Sequence, residues 1–273
     1  MIDLTIKPEE VVDVITDFIR IYVENSRCKG VVVGLSGGLD SAVTAVLCKK
    51  AIGRERTTCL FLPDDSTPES DIRDQKTIVE MFNLKCETRD ITSLVKTTSE
   101  TSVIKPDKMA LANIKARIRM VLLFEYANMT NKLVCGTSNK SELLIGYFTK
   151  YGDGGVDIMP IGDLYKTQVR DLARFLGIPD EIIDKAPTAG LYKGQLDEKE
   201  IKLKYDQLDR ILMGLEKKLS IDKIAEAADV SVEEVLRIKG RRIGTQHKRR
   251  SPLIPKIGIR TPGLDWRSPV LEG

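Results

Sequence analysis

The stretch VVVGLSGGLDSAVTA at residues 31–45 limits most strongly how this chain can fold. Its continuous β-branched run predicts a strand buried on both faces, as in a parallel sheet. Gly37 and Gly38 then permit a tight turn and a close approach of the backbone to a ligand. A helical pattern over residues 41–50 follows at once. The helix directs its free N–H groups and the positive end of its dipole at the turn, which predicts a phosphate site.

Asp40 indicates what else this turn binds. A carboxylate beside a phosphate repels it unless a divalent cation lies between them, so Asp40 predicts Mg²⁺. Ser36 and Ser41 add hydroxyl donors. The turn has neither the G-K-[ST] ending of a Walker A loop nor the G-x-G-x-x-G of a dinucleotide fingerprint. The alternative is an ordinary strand-to-helix turn in which Asp40 is only a helix cap.

Strand and helix patterns alternate along the first 150 residues. This alternation predicts an α/β fold: a Rossmann-like parallel sheet of five or six strands, flanked by helices, with a C-terminal helical extension. We expect a single domain over 1–273, with the sheet core at about 28–185 and a helical part and flap at about 200–260. The further strands are predicted at 57–62, 84–88 and 132–136, and the helices at 8–25, after Thr67 as N-cap, at 107–128, from Asn139 and at 164–176.

Composition excludes several classes of protein. The chain has 43 Lys+Arg and 40 Asp+Glu, and this net charge of +3 argues against a protein coated in nucleic acid. Its single His excludes a multi-histidine zinc centre within one chain. The five Cys form no C-x-x-C pair, which predicts free thiols in a reducing compartment. No apolar stretch approaches ~20 residues, so we expect no membrane span and a cytoplasmic protein.

The C-terminal region leaves two interpretations open. Residues 220–240 have the apolar rhythm of a helix-turn-helix, Ser231 and Glu234 form a capping-box pattern, and 241–260 carry seven basic residues and no acid. However, the candidate recognition helix begins S-V-E-E, which would place acids against phosphates. We therefore favour a small helical pair that packs on the sheet domain.

The turn sequence SGGLDS resembles the S-G-G-x-D-S signature of the PP-loop ATP pyrophosphatases. These enzymes cleave ATP to AMP and pyrophosphate and use the AMP to activate a substrate oxygen. The superfamily also contains GMP synthetase, asparagine synthetase, argininosuccinate synthetase and tRNA-modifying enzymes. The turn alone therefore leaves other PP-loop amide or thiolation synthetases open.

Four more segments resemble the ammonia-dependent NAD synthetases, in that family's order. They are NIKARIRM (113–120), GTSNKSELLIGYFTKYGDGGVDIMPIGDLYKTQV (136–169), KAPTAGLYKGQLDE (185–198) and HKRRSP (247–252). The resemblance implies an adenine nucleotide alpha hydrolase-like fold. It also implies amidation of deamido-NAD with ammonia, with ATP as co-substrate, Mg²⁺ as cofactor and an adenylated intermediate. NAD, AMP and pyrophosphate would be the products.

The same resemblance implies roles for individual residues. Catalytic roles fall to Asp153, Lys166 and Asp40, and the metal ligands are Asp40 and Glu142. The ATP-binding positions are Gly34, Leu35, Ser36, Gly37, Gly38, Leu39, Ser41, Thr137, Lys166 and Thr188. The deamido-NAD positions are Arg117, Lys150, Asp157, His247 and Lys248.

Some of these residues also have a plain structural interpretation. Glu142 alone would be a favourable charge at a helix N-terminus. Acids beside glycine, such as Asp153, commonly form turns. Arg117 must project on a different side from Lys115 and Arg119, since residues two apart on a helix do not share a face. Because prolines follow at 252 and 255, we expect His247 and Lys248 to lie in an ordered flap rather than a helix.

This chain departs from the family's pattern at one position, and the resemblance also implies which partners it has. Many family members read A-D-L where this chain has Gly190 in A-G-L, so the loop closes differently or Gly190 supplies a turn. The family is homodimeric, which implies a homodimer here. We expect ammonia as the nitrogen source because helix 8–25 leads directly to the first strand, although a separate glutaminase partner stays possible. We expect no nucleic-acid partner and no membrane.

Overall fold

A parallel four-stranded sheet organises the part of the chain that the computed structural model describes, residues 2–192 and 194–262. In space the strands follow the order β3-β2-β1-β4. Val31 of β1 lies opposite Thr57 on one side and Leu133 on the other. The strands are β1 (Val31–Gly34), β2 (Thr57–Phe61), β3 (Lys85–Thr88) and β4 (Leu133–Cys135).

The expectation of five or six strands was wrong for the described residues. On the open side of β4 the described residues add one parallel bridge, between Cys135 and Ile158. The Asp157 carboxylate accepts a hydrogen bond of 2.7 Å from the Val134 N–H. A complete fifth strand would bond the Val134 N–H through a backbone carbonyl. Here the Asp157 side chain bonds it instead, so strand pairing does not extend further.

Helices cover both faces of the sheet, as the alternating sequence pattern predicts. The helices before β4 are α1 (Pro8–Asn25), α2 (Leu39–Ile52), α3 (Glu69–Met81), α4 (Thr92–Glu100) and α5 (Lys108–Thr130). Those after it are α6 (Lys140–Ile145), α7 (Lys166–Leu176), α8 (Asp180–Ile183), α9 (Asp197–Ile201), α10 (Tyr205–Glu216), α11 (Ile221–Ala228), α12 (Val232–Gly244) and α13 (Gln246–Arg249). Thr67 is not the N-cap of α3, because Pro68 holds that position and the Thr67 hydroxyl accepts from the Asp64 amide at 2.9 Å.

The central strand is buried on both faces because its side chains alternate between two apolar clusters. Val31 and Val33 lie in a cluster with α1, α2 and α7. Val32 faces the opposite way, into a cluster with α4 and α5. Full burial of each such side chain contributes roughly 1.5–3 kcal/mol, which fixes β1 and therefore the turn that follows it. Three of the five free cysteines are buried in these clusters.

A third apolar cluster holds the C-terminal helices together. Ile224 of α11 and Val235 and Ile238 of α12 are fully buried with side chains of α10. The helical pair is thus a packed element of the protein, the interpretation favoured on the sequence. Only half of the predicted capping box forms, since Ser231 accepts from the Glu234 amide while the Glu234 carboxylate pairs with Arg237. No helix in the described ranges is long and apolar enough to cross a membrane.

Candidate functional site

The glycine turn between β1 and α2 has the geometry of an anion site. Gly37 has φ +84°, and a Cβ there would lie 2.2 Å from the Asp71 carbonyl oxygen, so only glycine fits. Gly38 is the N-cap of α2 and supplies no side-chain cap, so the free amides of the first turn face the loop. Such amides, with the helix dipole, favour a bound phosphate.

Two serines hold this turn closed. The Ser36 amide donates to Ser41 Oγ at 3.2 Å, and Ser41 Oγ donates to the Gly38 carbonyl at 2.9 Å. Ser36 is exposed, while Ser41 is buried beneath it. Gly34 and Leu35 lead into the turn and Leu39 opens α2, so the whole predicted segment from Gly34 to Ser41 forms one continuous cradle.

Asp40, Glu142 and Lys166 meet beside the cradle. The Lys166 ammonium donates to Asp40 Oδ2 and lies 3.5 Å from Glu142 Oε1. Its side chain is 6% exposed, against 18% for Asp40 and 15% for Glu142. Burial acts to lower the pKa of Lys166, but the two carboxylates outweigh it and raise that pKa above its ordinary value. Lys166 is therefore charged, and the interpretation of Asp40 as a mere helix cap is wrong.

Glu142 is held close to a second carboxylate. It is the third residue of α6 and closes a capping box with Asn139, whose amide donates to Glu142 Oε2 at 3.3 Å. Loss of solvation, and then the neighbouring Asp40 charge, raise the pKa of Glu142 to about 8. Two carboxylates in this position favour a shared cation, which Lys166 supplies in part.

Thr137 lies on the same edge of the sheet as the cradle. It follows β4, and β4 is the direct parallel neighbour of β1. Both strands thus end toward one crevice, the usual ligand position in an open parallel sheet. Thr137, Glu142 and the turn therefore lie at one edge of the sheet, where their places in the sequence predict them.

Four of the five residues predicted for the second substrate lie together. Lys150 Nζ donates to the His247 carbonyl at 2.8 Å, and an Arg117 Nη donates to the Lys150 carbonyl at 3.4 Å. Lys248 Nζ donates to the Gly146 carbonyl at 2.6 Å. Arg117 does project away from its neighbours Lys115 and Arg119, as its spacing predicts.

The expectation of a non-helical flap at His247 and Lys248 was wrong, since both lie in the one-turn helix α13. His247 is exposed, with Nδ1 3.2 Å from the Gly244 carbonyl. The prolines at 252 and 255 follow α13 and so do not interrupt it. The basic tail is also less free than its charge indicates, because Lys248 and Arg249 donate to backbone carbonyls of residues 143, 144 and 146.

The two acids of the glycine-rich loop, Asp153 and Asp157, bond to different parts of the chain. Asp153 Oδ1 accepts a hydrogen bond of 2.8 Å from the Thr149 amide. Asp153 is an exposed residue of the same loop as Lys150. Asp157 is exposed too, but its carboxylate bonds the backbone of β4. Asp153 therefore lies in the loop beside Lys150, while Asp157 is tied to β4.

Thr188 lies in a loop that is pinned by a buried acid. The Ala189 amide donates to Asp197 Oδ1 at 3.0 Å, and the Gly190 amide donates to Thr188 Oγ1 at 3.1 Å. Gly190 has φ +62°, a left-handed conformation that glycine adopts without strain. Gly190 therefore supplies a turn, one of the two alternatives that the sequence left open.

Comparison with known proteins decides the family. The family model described as NAD synthase matches residues 11–252. The chain belongs to the NAD synthase family. It is 44% identical over 252 residues to the NH(3)-dependent NAD(+) synthetase of Methanocaldococcus jannaschii, covering 91% of this chain and 97% of that protein. It is 46% identical over 250 residues to the protein of the same name from Archaeoglobus fulgidus, with the same coverage of both chains.

Solved structures of NAD synthase relatives share the fold. The NMN synthetase of Francisella tularensis superposes with a TM-score of 0.83 at 34% identity, covering 93% of this chain and all of that chain. The NH3-dependent NAD synthetase of Campylobacter jejuni, in complex with a nitrate ion, gives a TM-score of 0.79 at 32% identity, covering 92% of this chain and all of that chain. The predicted family and α/β fold are confirmed.

Several polar residues that support this candidate site were not predicted from the sequence. Asn139 is fully buried, and its side-chain amide donates to Asp40 Oδ1 at 3.2 Å. The spacing N-x-x-E at the start of α6 was the available signal, since it matches a capping box. Asp197 and Asp209 are also buried, yet neither has a local motif that distinguishes it from a surface acid.

Proposed function

We propose that this chain catalyses the ATP-dependent amidation of deamido-NAD with ammonia, giving NAD, AMP and pyrophosphate. Membership of the NAD synthase family and similarity to proteins named NH(3)-dependent NAD(+) synthetase support the overall reaction. The one observation of the structure that carries the proposal is the position of Lys166. Its ammonium lies between Asp40 and Glu142, beside the open N-terminus of α2.

The residues at this point fit a magnesium ion. Mg²⁺ in nucleotide sites is usually held by one or two carboxylates, together with phosphate oxygens and water. Asp40 and Glu142 already converge on one cation. No group of three or more His, Cys, Asp or Glu in the described part of the chain is arranged to hold a metal, so phosphate oxygens and water would complete the shell. Bound there, Mg²⁺ would supply positive charge against the pyrophosphate.

In the first half-reaction we assign phosphate binding to the cradle. The nicotinate carboxylate oxygen of deamido-NAD attacks the α-phosphorus of ATP, and the bond from that phosphorus to the bridging oxygen breaks to release pyrophosphate. The first-turn amides of α2, Ser36 and Lys166 would stabilise the charge that moves onto the leaving group. Thr137 and Thr188 would orient the nucleotide from the neighbouring strand and loop.

In the second half-reaction we assign proton handling to Asp153. Ammonium is mostly protonated near neutral pH, so a carboxylate that takes one proton yields the NH₃ nucleophile. Ammonia attacks the acyl carbon of the adenylated nicotinate, AMP leaves with the bonding electrons, and the amide of NAD forms after loss of a proton. Lys150, Arg117, Asp157, His247 and Lys248 would hold the dinucleotide, with the cations facing its phosphates.

We also propose that the active form is a homodimer. Apolar side chains of the long helix α5 stay exposed in the single chain, with Val121 57% and Met129 80% exposed. Large apolar side chains left exposed on a long helix are candidates for burial in a subunit interface. Sedimentation or light scattering that reports a mass near the 30.5 kDa of one chain would contradict this assembly.

A coupled assay tests the reaction. The purified chain is incubated with ATP, Mg²⁺, ammonium and deamido-NAD, and NAD, AMP and pyrophosphate are measured together. We expect the three products in equal amounts, and NAD only when ammonium is present. Formation of AMP with another acceptor, and no NAD, would sink the proposal in favour of a different PP-loop synthetase. Glutamine in place of ammonium tests the nitrogen source, with no NAD expected.

The assay must also compare two substrates that could be amidated, because the Francisella protein of the same fold is named NMN synthetase. Nicotinic acid mononucleotide is offered at the same concentration as deamido-NAD. We expect a higher kcat/KM for the dinucleotide, since the curated relatives at 44% and 46% identity carry the NAD synthetase name. A preference for the mononucleotide would reassign the substrate while leaving the amidation chemistry in place.

A further inference from the structure

Asp209 connects the two helices that carry Glu142 and Lys166. It lies on α10, outside the cradle, and is fully buried. One carboxylate oxygen accepts from Ser141 Oγ, and the other accepts from the Thr167 amide and Thr167 Oγ1, both at 2.9 Å. Ser141 Oγ in turn accepts from the Lys166 amide at 2.9 Å.

Each of these donors lies in the first turn of a helix. Ser141 is the second residue of α6, and Lys166 and Thr167 are the first two residues of α7. A helix N-terminus favours a negative charge. Asp209 bonds the first-turn amide of Thr167 in α7 directly, and at α6 it bonds the hydroxyl of Ser141. The acid thus acts as a built-in anion at the joint between α6 and α7.

The joint needs such a tether because the covalent link between its helices is long and rich in glycine. Residues 146–165 run between α6 and α7 and include five glycines. Glu142 follows Ser141 directly, and Lys166 precedes Thr167 directly, so fixing these partners fixes the backbone of both site residues. The distance of 3.5 Å between Lys166 Nζ and Glu142 Oε1 depends on that alignment.

We infer that Asp209 is a positioning residue for the reaction: its carboxylate aligns the first turn of α6 with the first turn of α7 and thereby sets Glu142 against Lys166. This inference rests on the proposed function for its catalytic consequence, but its structural half stands alone. Glu216 bridges Lys140 and Tyr165 of the same two segments from the surface, with a half-exposed side chain. It is the natural control on the same helix.

Amide hydrogen exchange tests the structural half. Asp209→Ala removes the acceptor of the Thr167 amide and releases Ser141 Oγ, which accepts from the Lys166 amide. Both amides should therefore exchange at least ~10-fold faster, while exchange in the peptide covering β1 and α2 is unchanged. Ile211→Ala, which removes a buried side chain of α10 without touching these bonds, serves as the packing control. Equal exchange of the 165–168 peptide in native protein and Asp209→Ala would overturn the inference whatever the enzyme catalyses.

Steady-state kinetics test the catalytic half. A misplacement of about 1 Å costs about 10²-fold in rate, so Asp209→Ala should lower kcat by about that factor while KM for ATP changes less than ~3-fold. Asp209→Asn keeps the shape and acceptor oxygen and should recover about 10-fold of the loss. Asp209→Ala added to Lys166→Ala should cost almost nothing more, because the side chain that Asp209 positions is then already absent.

The controls separate positioning from stability. Ile211→Ala and Glu216→Gln should keep kcat within ~3-fold of the native value below their melting temperatures. If kcat of Asp209→Ala follows only its melting temperature, as in Ile211→Ala, the residue is purely structural and the inference fails. Should Asp209→Ala not fold, Ser141→Ala removes the bond to α6, while Thr167→Val removes the side-chain bond to α7 and leaves the Thr167 amide bond. Both variants carry the same test. Absence of NAD formation by the native chain refutes the proposed function instead, and the exchange result still decides the joint.

Discussion

The cradle at residues 34–41 and the α6–α7 joint meet at Lys166, but different interactions hold them. Backbone conformation fixes the cradle: Gly37 has a left-handed φ, and a buried parallel strand leads into it. The joint depends on side chains from distant elements, with Asp209 of α10 below it and Arg249 of α13 behind α6. One half of the site is therefore local in sequence and the other is assembled by long-range contacts.

Substitution of the two carboxylates where these halves meet should have the largest effect on the reaction. Asp40→Ala and Glu142→Ala each remove one of the two groups proposed to hold Mg²⁺, and each should reduce pyrophosphate release by at least ~10³-fold. Circular dichroism and melting temperature should show a folded protein in both. Asp171→Ala, an exposed acid on α7, is the control and should keep full activity. Turnover retained in either site variant would remove that residue from the metal assignment.

The cradle itself is tested by its glycine. Gly37→Ala places a Cβ 2.2 Å from the Asp71 carbonyl oxygen and should lower kcat/KM for ATP by about 10²-fold, as the turn must open to relieve the clash. Gly53 ends the same helix with φ +82°, and a Cβ there would meet no atom within 4 Å. Gly53→Ala thus strains a second positive-φ glycine without the clash, at about 1–3 kcal/mol of stability. Equal ATP kinetics in the two variants would show that the cradle does not depend on this glycine.

This difference between the halves explains what the sequence could predict. The strand, the glycine turn and Asp40 form one continuous motif, so their geometry is written in adjacent residues. Glu142 and Lys166 were assigned to the site through the family resemblance, but their ion pair was not expected. Asp209 stayed hidden because an acid on an amphipathic helix resembles a surface charge, and its partners lie 68 and 42 residues away in sequence. The one-turn helix at His247 is too short to show helical periodicity.

The clamp on the far end of α6 should give a smaller effect. Arg249 donates to the carbonyls of Leu143 and Leu144, near the C-terminus of α6, at 3.0 and 2.9 Å. A cation is stabilised there by the negative end of the helix dipole. Arg249→Ala should lower stability by about 1 kcal/mol and kcat about 3-fold, measured by urea unfolding and the NAD assay. Arg242→Ala on exposed α12 removes a cation but keeps the carbonyl that Arg249 contacts. If both variants behave alike, the effect is one of net charge and not of a clamp.

The last effect is one on stability alone, the cost of keeping a charge at the joint. Burial raises the pKa of Asp209 from 3.8 to about 6, although hydrogen bonds from Ser141 and Thr167 act to lower it, and the nearby Asp206 adds to the increase. Between these two values the folded state binds more protons than the unfolded chain, so stability must fall as pH rises from about 4 to about 6. At 1.36 kcal/mol per unit, the ionised acid costs about 3 kcal/mol at neutral pH.

Asp209→Asn should remove this pH dependence because the amide stays neutral. The free energy of unfolding of native protein minus that of Asp209→Asn, taken from urea titrations, should fall by about 2 kcal/mol between pH 4 and pH 7. Asp206→Asn, an exposed acid one turn earlier on α10, should keep most of the native slope. A difference that does not change with pH would mean that Asp209 titrates normally and that its charge is retained at no cost. The expected slope instead means that the joint keeps a destabilising charge, which is consistent with selection for alignment of α6 and α7 over stability.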